Sequence, residues 1–257
     1  MLEPERHDLI LQLLKHKRFV DVHEICKTTG ASVTTIRRDL SKLEEQALVR
    51  RVHGGAELAE IAVTDSQSFG EVPFAYRKGY RNKEKTRIAQ YAAGLCSKKD
   101  TIIIDGGSTT FQMSTFLVDV GCQIITNSFS IAEYLLRNGN NKVIIPGGMV
   151  YKNSELILDP FQNNFYSNYV ANKTFMGVSG IGPKGLTNSD PQLIQAERKM
   201  IECAEEVIIL ADSSKFDFVG SLYLCDFDDV SLIITDTGLI ESQRELVTSR
   251  EVSIVTV

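Results

Sequence analysis

The sequence predicts an α/β protein in two parts: a small module of three helices with a β-hairpin, followed by a larger α/β domain. Two observations predict this organisation. Residues 1–56 contain three short amphipathic segments and then a strand that ends at a glycine pair. From residue 83 onward, short apolar strands alternate with helical segments, which is the pattern of a largely parallel sheet. We therefore place the first domain at residues 1–57, a linker at 58–82 and the second domain at 83–257.

The composition is that of a globular protein, with 43% apolar residues among 257. No apolar run approaches the ~20 residues that a membrane span requires, and the N-terminus is charged within its first eight residues, unlike a secretory signal. The five cysteines are scattered, odd in number and form no C-x-x-C pair, so we expect neither a disulfide framework nor a metal site. These observations predict a cytoplasmic protein that makes no membrane contact.

The two parts differ in charge. Residues 1–56 contain 10 Lys and Arg against 8 Asp and Glu, and the remainder contains 18 against 25. The opposite net charges of the two parts suggest that the parts have different functions. A module that is only weakly positive binds a polyanion modestly, so we expect a homo-oligomer, a dimer or higher, in which several modules act together.

Two helices are predicted before the most informative segment. The first covers Pro4–His16, with Ile10 and Leu14 at helical spacing and a proline tolerated in the first turn. The second begins after Asp21, since Asp21-x-x-Glu24 has the pattern of a capping box, and it ends near Thr28. Gly30 supplies the turn that follows.

The third helix carries its apolar and its polar residues on opposite faces. Ile36, Leu40 and Leu43 lie on one side, and Ser32 precedes the helix as a cap. The strand Val49–Val52 with the following glycine turn is typical of the wing of a winged helix-turn-helix. An ordinary amphipathic helix with a solvated cationic face is the alternative, but helix, wing and flanking helices together favour double-stranded DNA as the partner. The candidate DNA-binding residues are Ser32, Thr34, Thr35, Arg37, Arg38, Ser41, Lys42, Arg50, Arg51 and His53.

After a linker with a short helix predicted near Glu57–Ala62, a regular alternation begins. Helices are predicted at about 84–96 and 110–118, and a third is opened by the capping box Ser130-x-x-Glu133. Asp159-Pro160 and Asp190-Pro191 each have the pattern of a helix start. The predicted strands are Thr101–Ile104, Gln123–Thr126, Lys142–Ile145 and segments near 174–178, 207–211, 231–235 and 252–256.

A glycine loop, Asp105–Thr110, directly follows the first of these strands and opens a helix. Free N–H groups at a helix start, with serine and threonine hydroxyls beside them, form a phosphate cradle. When this loop is considered by itself, the alternative is a tight turn that binds no ligand. The loop has no Gly-Lys-Ser/Thr sequence, so a nucleotide hydrolase is not expected.

Further loops also directly follow predicted strands. In a parallel sheet such loops meet at one edge, where α/β folds bind ligands. They contain Asn127, Gly147, the segment 177–180 and the segment 211–215. Asp105 and Asp212 either accept hydrogen bonds from sugar hydroxyls or cap local turns, and Lys215 is either a ligand cation or a surface residue. The combination suits a small, phosphorylated, hydroxyl-rich ligand.

The N-terminal part, Arg6–Ala56, with Thr35–Leu40 (TIRRDL) and Arg51–Ala56 (RVHGGA), resembles the DNA-binding half of the DeoR family of bacterial transcriptional regulators. Ala47 departs from the pattern, because members usually carry glycine there. The resemblance extends over the second part through Glu84-Lys85, Asp105–Thr110, Thr126–Ser128, Gly147-Gly148, Glu197 and Asp212–Phe216. Within the family, Ile124–Asn127 and Val143–Gly148 are most similar to regulators of ascorbate utilisation.

The resemblance implies an effector domain that is similar to ribose-5-phosphate isomerase and binds phosphorylated sugars or sugar alcohols. It implies that Ser108, Thr109 and Thr110 hold phosphate and that other residues line the remaining site. Those residues are Asp105, Gly107, Asn127, Gly147, Asp212, Lys215 and Lys85.

The leading functional hypothesis is a repressor of a carbohydrate-utilisation operon, modulated by a phosphorylated sugar or sugar-acid effector. An activator with the same parts is one alternative. A sugar-phosphate isomerase-like enzyme fused to a DNA-binding module is another, in which Asp105, Glu197 or Asp212 would supply the acid and base. Because no histidine lies beyond position 53, we assign no catalytic residue, and we expect no cofactor and no metal.

Overall fold

The structure is a computed structural model that describes residues 3–17, 19–45, 48–52, 54–58, 74–159 and 165–257. The chain divides into two compact units, residues 1–64 and 65–257, which are described separately below. The boundaries of the domains and linker drawn from the sequence stay a prediction.

The first unit is a winged helix-turn-helix. Its helices are α1 (Glu3–His16), α2 (Val22–Thr29) and α3 (Val33–Glu45), and its strands are β1 (Val20–Asp21), β2 (Val49–Val52) and β3 (Gly55–Leu58). The strands form an antiparallel sheet in the order β1-β3-β2. The predicted helices and wing are therefore confirmed. The helix predicted near Glu57–Ala62 is wrong at Glu57 and Leu58, which belong to β3, and its other residues lie outside the described ones.

Local signals in the sequence set the ends of these helices. The Asp21 carboxylate accepts from the backbone N–H of Glu24 at 2.9 Å and caps α2. Gly30 ends α2 with a left-handed φ of 69°, and its N–H donates to the carbonyl of Cys26. Ser32 Oγ accepts from the N–H of Thr35 at 3.2 Å. The second half of the predicted capping box is replaced by an ion pair between the Glu24 carboxylate and Lys17 at 2.5 Å.

The second unit contains helices that flank a parallel sheet. The helices are α4 (Phe74–Gly79), α5 (Asn82–Gly94), α6 (Ser108–Leu117), α7 (Phe129–Asn138), α8 (Pro191–Glu202) and α9 (Glu241–Thr248). The strands are β4 (Thr101–Ile104), β5 (Gln123–Thr126), β6 (Lys142–Ile144), β7 (Met149–Tyr151), β8 (Leu156–Leu158), β9 (Ala171–Met176), β10 (Gly180–Gly182), β11 (Gly185–Asn188), β12 (Ala204–Leu210), β13 (Leu222–Cys225), β14 (Leu232–Thr235) and β15 (Ser253–Thr256). Short 3-10 turns cover Tyr166–Asn168, Ser213–Lys215 and Phe227–Asp229.

The main sheet has seven parallel strands in the order β15-β14-β12-β9-β4-β5-β6. The predicted α/β fold class is therefore confirmed. Because all seven strands run in one direction, the loops that follow them meet at one edge. Two small antiparallel sheets, β10-β11-β13 and β7-β8, complete the unit.

Both faces of the main sheet are buried, as expected for a parallel sheet. Ile102, Ile104 and Phe175 pack with helices α5, α6 and α7 on one face. The alternate residues Ile103 and Met176 lie in separate clusters on the other face. Among the described residues, no helix combines the length and the apolar character needed to cross a membrane.

Some predicted element boundaries differ from the structure. The capping box at Ser130 is wrong, because Ser128 Oγ accepts from the N–H of Ile131 at 3.2 Å and begins α7, while Ser130 Oγ bonds to the carboxylate of Glu155. Helix α4 lies within the segment predicted to be a linker. Asp190 caps α8 as predicted, whereas the helix start predicted at Pro160 lies outside the described residues.

Candidate functional site

The third helix separates its polar and apolar residues as predicted. Ile36, Leu40 and Leu43 are at most 1% exposed. Thr34, Arg37 and Arg38 are exposed on the other side. In the part of the chain that the structure describes, no carboxylate forms an ion pair with Arg37 or Arg38, so both guanidinium groups are available to a phosphate or a base edge.

The other candidate cations of the first unit already have partners within it. Lys42 Nζ lies 2.6 Å from Glu3 Oε1, and Arg50 forms an ion pair with Glu57 across the wing. Arg51 donates to Ser41 Oγ at 2.8 Å. Among the candidate hydroxyls, Ser32 and Thr35 bond to each other at 2.9 Å. These residues must exchange a partner to contact DNA, and their roles stay predictions.

The wing turn contains two glycines that the backbone requires. Gly54 has a φ of 84°, a left-handed conformation that favours glycine. A Cβ on Gly55 would lie 2.3 Å from the carbonyl oxygen of Val20. His53, the remaining candidate in the wing, lies outside the described residues.

A buried carboxylate that the sequence analysis did not single out holds α3 against α1. Asp39 is 1% exposed and accepts from Arg6 Nε at 2.6 Å and Arg6 Nη2 at 3.0 Å, with His7 Nε2 at 3.3 Å. Burial opposes ionisation, but the bonds from Arg6 and His7 outweigh it and lower the pKa of Asp39. Its place on the buried side, between Ile36 and Leu43, is the sequence signal for this role.

In the second unit, the structure brings together Asp105, after β4, and Asn127, after β5. Asn127 Nδ2 donates to Asp105 Oδ1 at 3.2 Å, and the N–H of Gly106 donates to Asn127 Oδ1 at 2.8 Å. Both side chains are at most 1% exposed. Burial raises the pKa of Asp105 to about 6, although the bonds from Asn127 and Gly106 oppose the shift.

The hydroxyls of the glycine loop have different roles. Thr110 Oγ1 accepts from the N–H of Gly107 at 2.8 Å and donates to the Gly107 carbonyl at 2.9 Å, so it caps α6. Ser108 and Thr109 form no side-chain hydrogen bond with another described residue. They are therefore the two hydroxyls available to a ligand at this helix start.

The side chain of Arg81, which lies between α4 and α5, contacts the loop after β12. Arg81, just before α5, donates to Ser213 Oγ at 2.9 Å and to Asp236 Oδ1 at 3.2 Å. Its Nε is 3.3 Å from Asp212 Oδ1. Arg81 adopts a left-handed φ of 52°, which is strained for a residue with a side chain. Neither Arg81 nor Asp236 is predicted from the sequence, because their partners lie far away along the chain.

Lys85 is buried one helical turn after Arg81. Its Nζ donates to the carbonyl of Arg77 at 2.5 Å. Burial lowers the pKa of Lys85 to about 7; the carboxylate of Asp212 opposes the shift, while the charge of Lys215 adds to it. Lys85, Lys215 and Asp212 are therefore close enough to interact electrostatically. Burial also lowers the pKa of Arg77 to about 10, against the charges of Asp105 and Glu155.

Gly147 follows β6, which is two strands away from β4 in the sheet. It is exposed, and in the described structure it forms no hydrogen bond with the other candidate residues. Its role in binding an effector stays a prediction.

Glu197 on α8 is fully buried. Its Oε1 accepts from Asn188 Nδ2 at 2.6 Å, and Asn188 Oδ1 accepts from Ser179 Oγ at 2.5 Å. Burial and the nearby charge of Asp105 raise the pKa of Glu197 well above its usual range. The sequence points to Glu197 through the family resemblance and as an acid or base of an enzyme. It does not predict the bonds with Asn188 and Ser179, because nothing local shows which way these side chains point.

Comparisons with known proteins cover both units. Residues 6–62 match the DeoR-like helix-turn-helix domain, and residues 81–237 match the DeoR C terminal sensor domain. The HTH-type transcriptional regulator UlaR of Shigella dysenteriae serotype 1 (strain Sd197) is 30% identical over 257 residues, 100% of each chain. UlaR of Escherichia coli (strain K12 / DH10B) is 31% identical over 235 residues, 91% of each chain.

The similarities of this chain to solved structures are weaker than its similarities to the family and to the curated relatives. Ribose 5-phosphate isomerase A from Methanocaldococcus jannaschii has a TM-score of 0.39 at 16% identity, covering 53% of this chain and 55% of that one. The eIF2B beta subunit from Chaetomium thermophilum has a TM-score of 0.43 at 13% identity, covering 88% and 61%. The family matches to both units and the full-length relatives confirm the resemblance found in the sequence: the chain belongs to the DeoR family of transcriptional regulators.

Proposed function

We propose that this regulator represses a carbohydrate-utilisation operon and that a phosphorylated sugar or sugar acid modulates its binding to operator DNA. The observation that carries the effector part is the placement of Lys85, Arg81 and Lys215 around Asp212, at the sheet edge that also holds the Asp105 loop. Cations beside hydroxyl-binding carboxylates suit a ligand with an anionic end and several hydroxyls.

The DNA part of the proposal rests on the exposed face of α3. Arg37 and Arg38 project away from the buried residues Ile36 and Leu40. A helix with this division can enter a major groove with its cations toward the DNA. An activator would use the same contacts, and we favour a repressor that its effector releases.

The proposal also includes a homo-oligomer in the cytoplasm and no enzymatic activity. Paired modules would multiply the affinity of each weakly positive unit through effective concentration. The absence of turnover is supported by the full-length relatives, which are named as transcriptional regulators. Sedimentation at micromolar concentration should show a dimer or larger species, and incubation with ribose 5-phosphate should give no isomerised product.

Fluorescence anisotropy tests the central proposal. The protein is bound to a labelled fragment of its own promoter, and sugar phosphates, alditol phosphates and phosphorylated sugar acids are added one at a time at fixed salt. We expect at least one of them to change the operator affinity, while unphosphorylated sugars do not. Loss of specific operator binding, or no response to any phosphorylated compound, would contradict the proposal.

A further inference from the structure

Asp236, directly after β14, holds the loop that follows β12 through both of its carboxylate oxygens. Oδ2 accepts from the backbone N–H of Ser213 at 2.7 Å, and Oδ1 accepts from Ser213 Oγ at 3.0 Å. Oδ1 also accepts from the N–H of Gly238 at 2.8 Å. Because β12 and β14 are neighbours in the main sheet, this one side chain joins two loops at the edge where the effector is proposed to bind.

Asp236 also holds Arg81. Nη2 of Arg81 donates to both carboxylate oxygens of Asp236, at 3.2 and 3.3 Å, while Nε of Arg81 lies 3.3 Å from Asp212 Oδ1. The left-handed φ of 52° at Arg81 is unfavourable for a residue with a side chain, and such a conformation persists only where surrounding contacts hold it. Asp236 supplies such contacts, so we expect Arg81 to leave this position when the Asp236 carboxylate is lost.

The carboxylate of Asp236 has no capacity left for a ligand. The residue is 2% exposed, and its oxygens accept five hydrogen bonds from described residues, whereas a carboxylate offers about four acceptor sites. Burial opposes ionisation, but the bonds from Ser213, Gly238 and Arg81 outweigh it and lower the pKa of Asp236. The carboxyl group therefore stays charged and acts on a ligand only through the groups that it holds.

Arg81 and Lys215 are the cations through which Asp236 can act. Nη1 of Arg81 forms no hydrogen bond with a described residue, and the side chain is 25% exposed. Lys215 lies at the end of the 3-10 turn that begins at Ser213, whose N–H is bound by Asp236. Charge-assisted hydrogen bonds from a guanidinium or ammonium group to phosphate require correct geometry. The contacts of Asp236 therefore fix the positions from which both cations can reach an anion.

We propose that Asp236 is a positioning residue of the effector site: by holding Arg81 and the turn that carries Lys215, it places the two cations that bind the anionic group of the effector. This inference rests on the proposed function, because it concerns how the same site is built. Asp236 itself does not touch the effector. The sequence around Asp236 gives no sign of this role, since its partners Ser213 and Arg81 lie 23 and 155 residues away along the chain.

Isothermal titration calorimetry on the full-length protein tests the inference. The probes are ribose 5-phosphate, glucitol 6-phosphate and gluconate 6-phosphate, and the one that binds the wild type most tightly is used for every variant. Asp236→Asn keeps the shape of the side chain but removes its charge and one acceptor oxygen.

Asp100→Asn is the matched control. Asp100 also accepts a backbone N–H, from Ser97 at 3.0 Å, and it also forms an ion pair, with Lys173 at 3.3 Å. It directly precedes β4, however, and therefore lies at the opposite edge of the sheet from the loops that follow the strands. The control thus loses a comparable set of bonds without a contact to Arg81 or to the turn of Lys215.

We expect Asp236→Asn to weaken binding of the probe about tenfold or more, and Asp100→Asn to change it less than about twofold. The deciding measurement is a double-mutant cycle. In an Arg81→Gln background, Asp236→Asn should weaken binding at least about threefold less than it does in the wild type, because the cation that it positions is gone. In a Thr109→Val background, it should keep its full effect to within about twofold.

Thermal unfolding of each variant shows whether it is folded at the temperature of the titration. If Asp236→Asn is not folded, Gly238→Ala replaces it. A Cβ at Gly238 would lie 2.7 Å from Asp236 Oδ1 and 2.5 Å from Ser213 Oγ, so it displaces this pair while the charge is kept.

The outcomes separate this inference from the proposed function. Equal losses of affinity in Asp236→Asn and Asp100→Asn, or an effect of Asp236→Asn that is undiminished by Arg81→Gln, would overturn the positioning role and leave the proposed function standing. If none of the three probes binds the folded wild type, the proposed function fails and this inference fails with it.

Discussion

Replacing Asp39 by asparagine should loosen the recognition helix α3 although the residue is not expected to touch DNA. Its carboxylate takes two bonds from Arg6, at 2.6 and 3.0 Å, and the two side chains are only 2% and 11% exposed. Hydrogen bonds between charged groups contribute about 1.5–3 kcal/mol each. Asparagine keeps one acceptor but loses the charge and the second acceptor, so we expect α3 to be destabilised by about 2 kcal/mol.

Native-state hydrogen exchange on the full chain measures this effect directly. A loss of about 2 kcal/mol corresponds to a roughly 30-fold increase in local opening of the α3 amides. Glu3→Gln is the matched control, because the Glu3–Lys42 pair also joins α1 to α3 but its side chains are 42% and 37% exposed. An exposed pair contributes little, so the control should change opening by less than about 0.5 kcal/mol. Equal exchange in the two variants would refute the role of Asp39.

The same pair predicts a pH dependence with a definite sign. The pKa of Asp39 is lowered in the folded protein, so its stabilising effect is present above the pKa of the unfolded chain. The effect is lost as pH falls through the folded pKa, which lies below the usual value of 3.8. The difference in α3 protection between wild type and Asp39→Asn should therefore be present above about pH 5 and should disappear in stronger acid.

Three further predictions concern the two binding sites. Arg38→Ala should weaken operator binding by about 1–3 kcal/mol, measured by anisotropy, without lowering the thermal stability. Arg50→Ala should weaken binding less, because Arg50 is already paired with Glu57. Equal losses of binding free energy in the two variants would contradict this order. Thr109→Val and Lys215→Ala should both reduce effector affinity in calorimetry while operator binding persists, with the larger loss for Lys215→Ala because charged bonds to phosphate are stronger. Lys85, with a pKa of about 7, is charged below that pH. The affinity of the protein for a phosphorylated effector should therefore fall as pH rises from about 6 to 8. A Lys85→Gln variant that keeps the same dependence of affinity on pH would assign the titration to another group.

Features that depend on neighbouring residues could be predicted from the sequence. The caps Asp21, Ser32 and Asp190 were identified correctly because the side chain and the N–H that it binds are two or three residues apart. The alternation of apolar strands with helices likewise predicted the parallel sheet. Helix α4 was missed because its six residues are too few to show a helical period.

The error at α7 shows where local signals fail. Ser128 and Ser130 both suit a cap, and the spacing from Ser130 to Glu133 favoured the wrong one. In the structure, β8 decides the choice. The N–H of Phe129 donates to the carbonyl of Glu155 at 2.9 Å, and Ser128 forms a bridge with Leu156. Contacts made 26 and 28 residues away along the chain therefore set the helix start.

The order of the strands in the sheet, which decides which loops of the candidate site are neighbours, could not be predicted from the sequence. Asp105 follows β4 and Asp212 follows β12, and the sheet order puts β9 between these two strands. Neighbouring strands lie about 4.8 Å apart, so the two loops are separated by roughly 10 Å at the sheet edge. The central strand β9 ends at Met176, and Gly177 follows, where an added Cβ would meet no atom within 4 Å. Under the proposed function, the open space above Gly177 would let one small ligand reach the Asp105 loop and the Asp212 loop together, and a side chain at that position would divide the site.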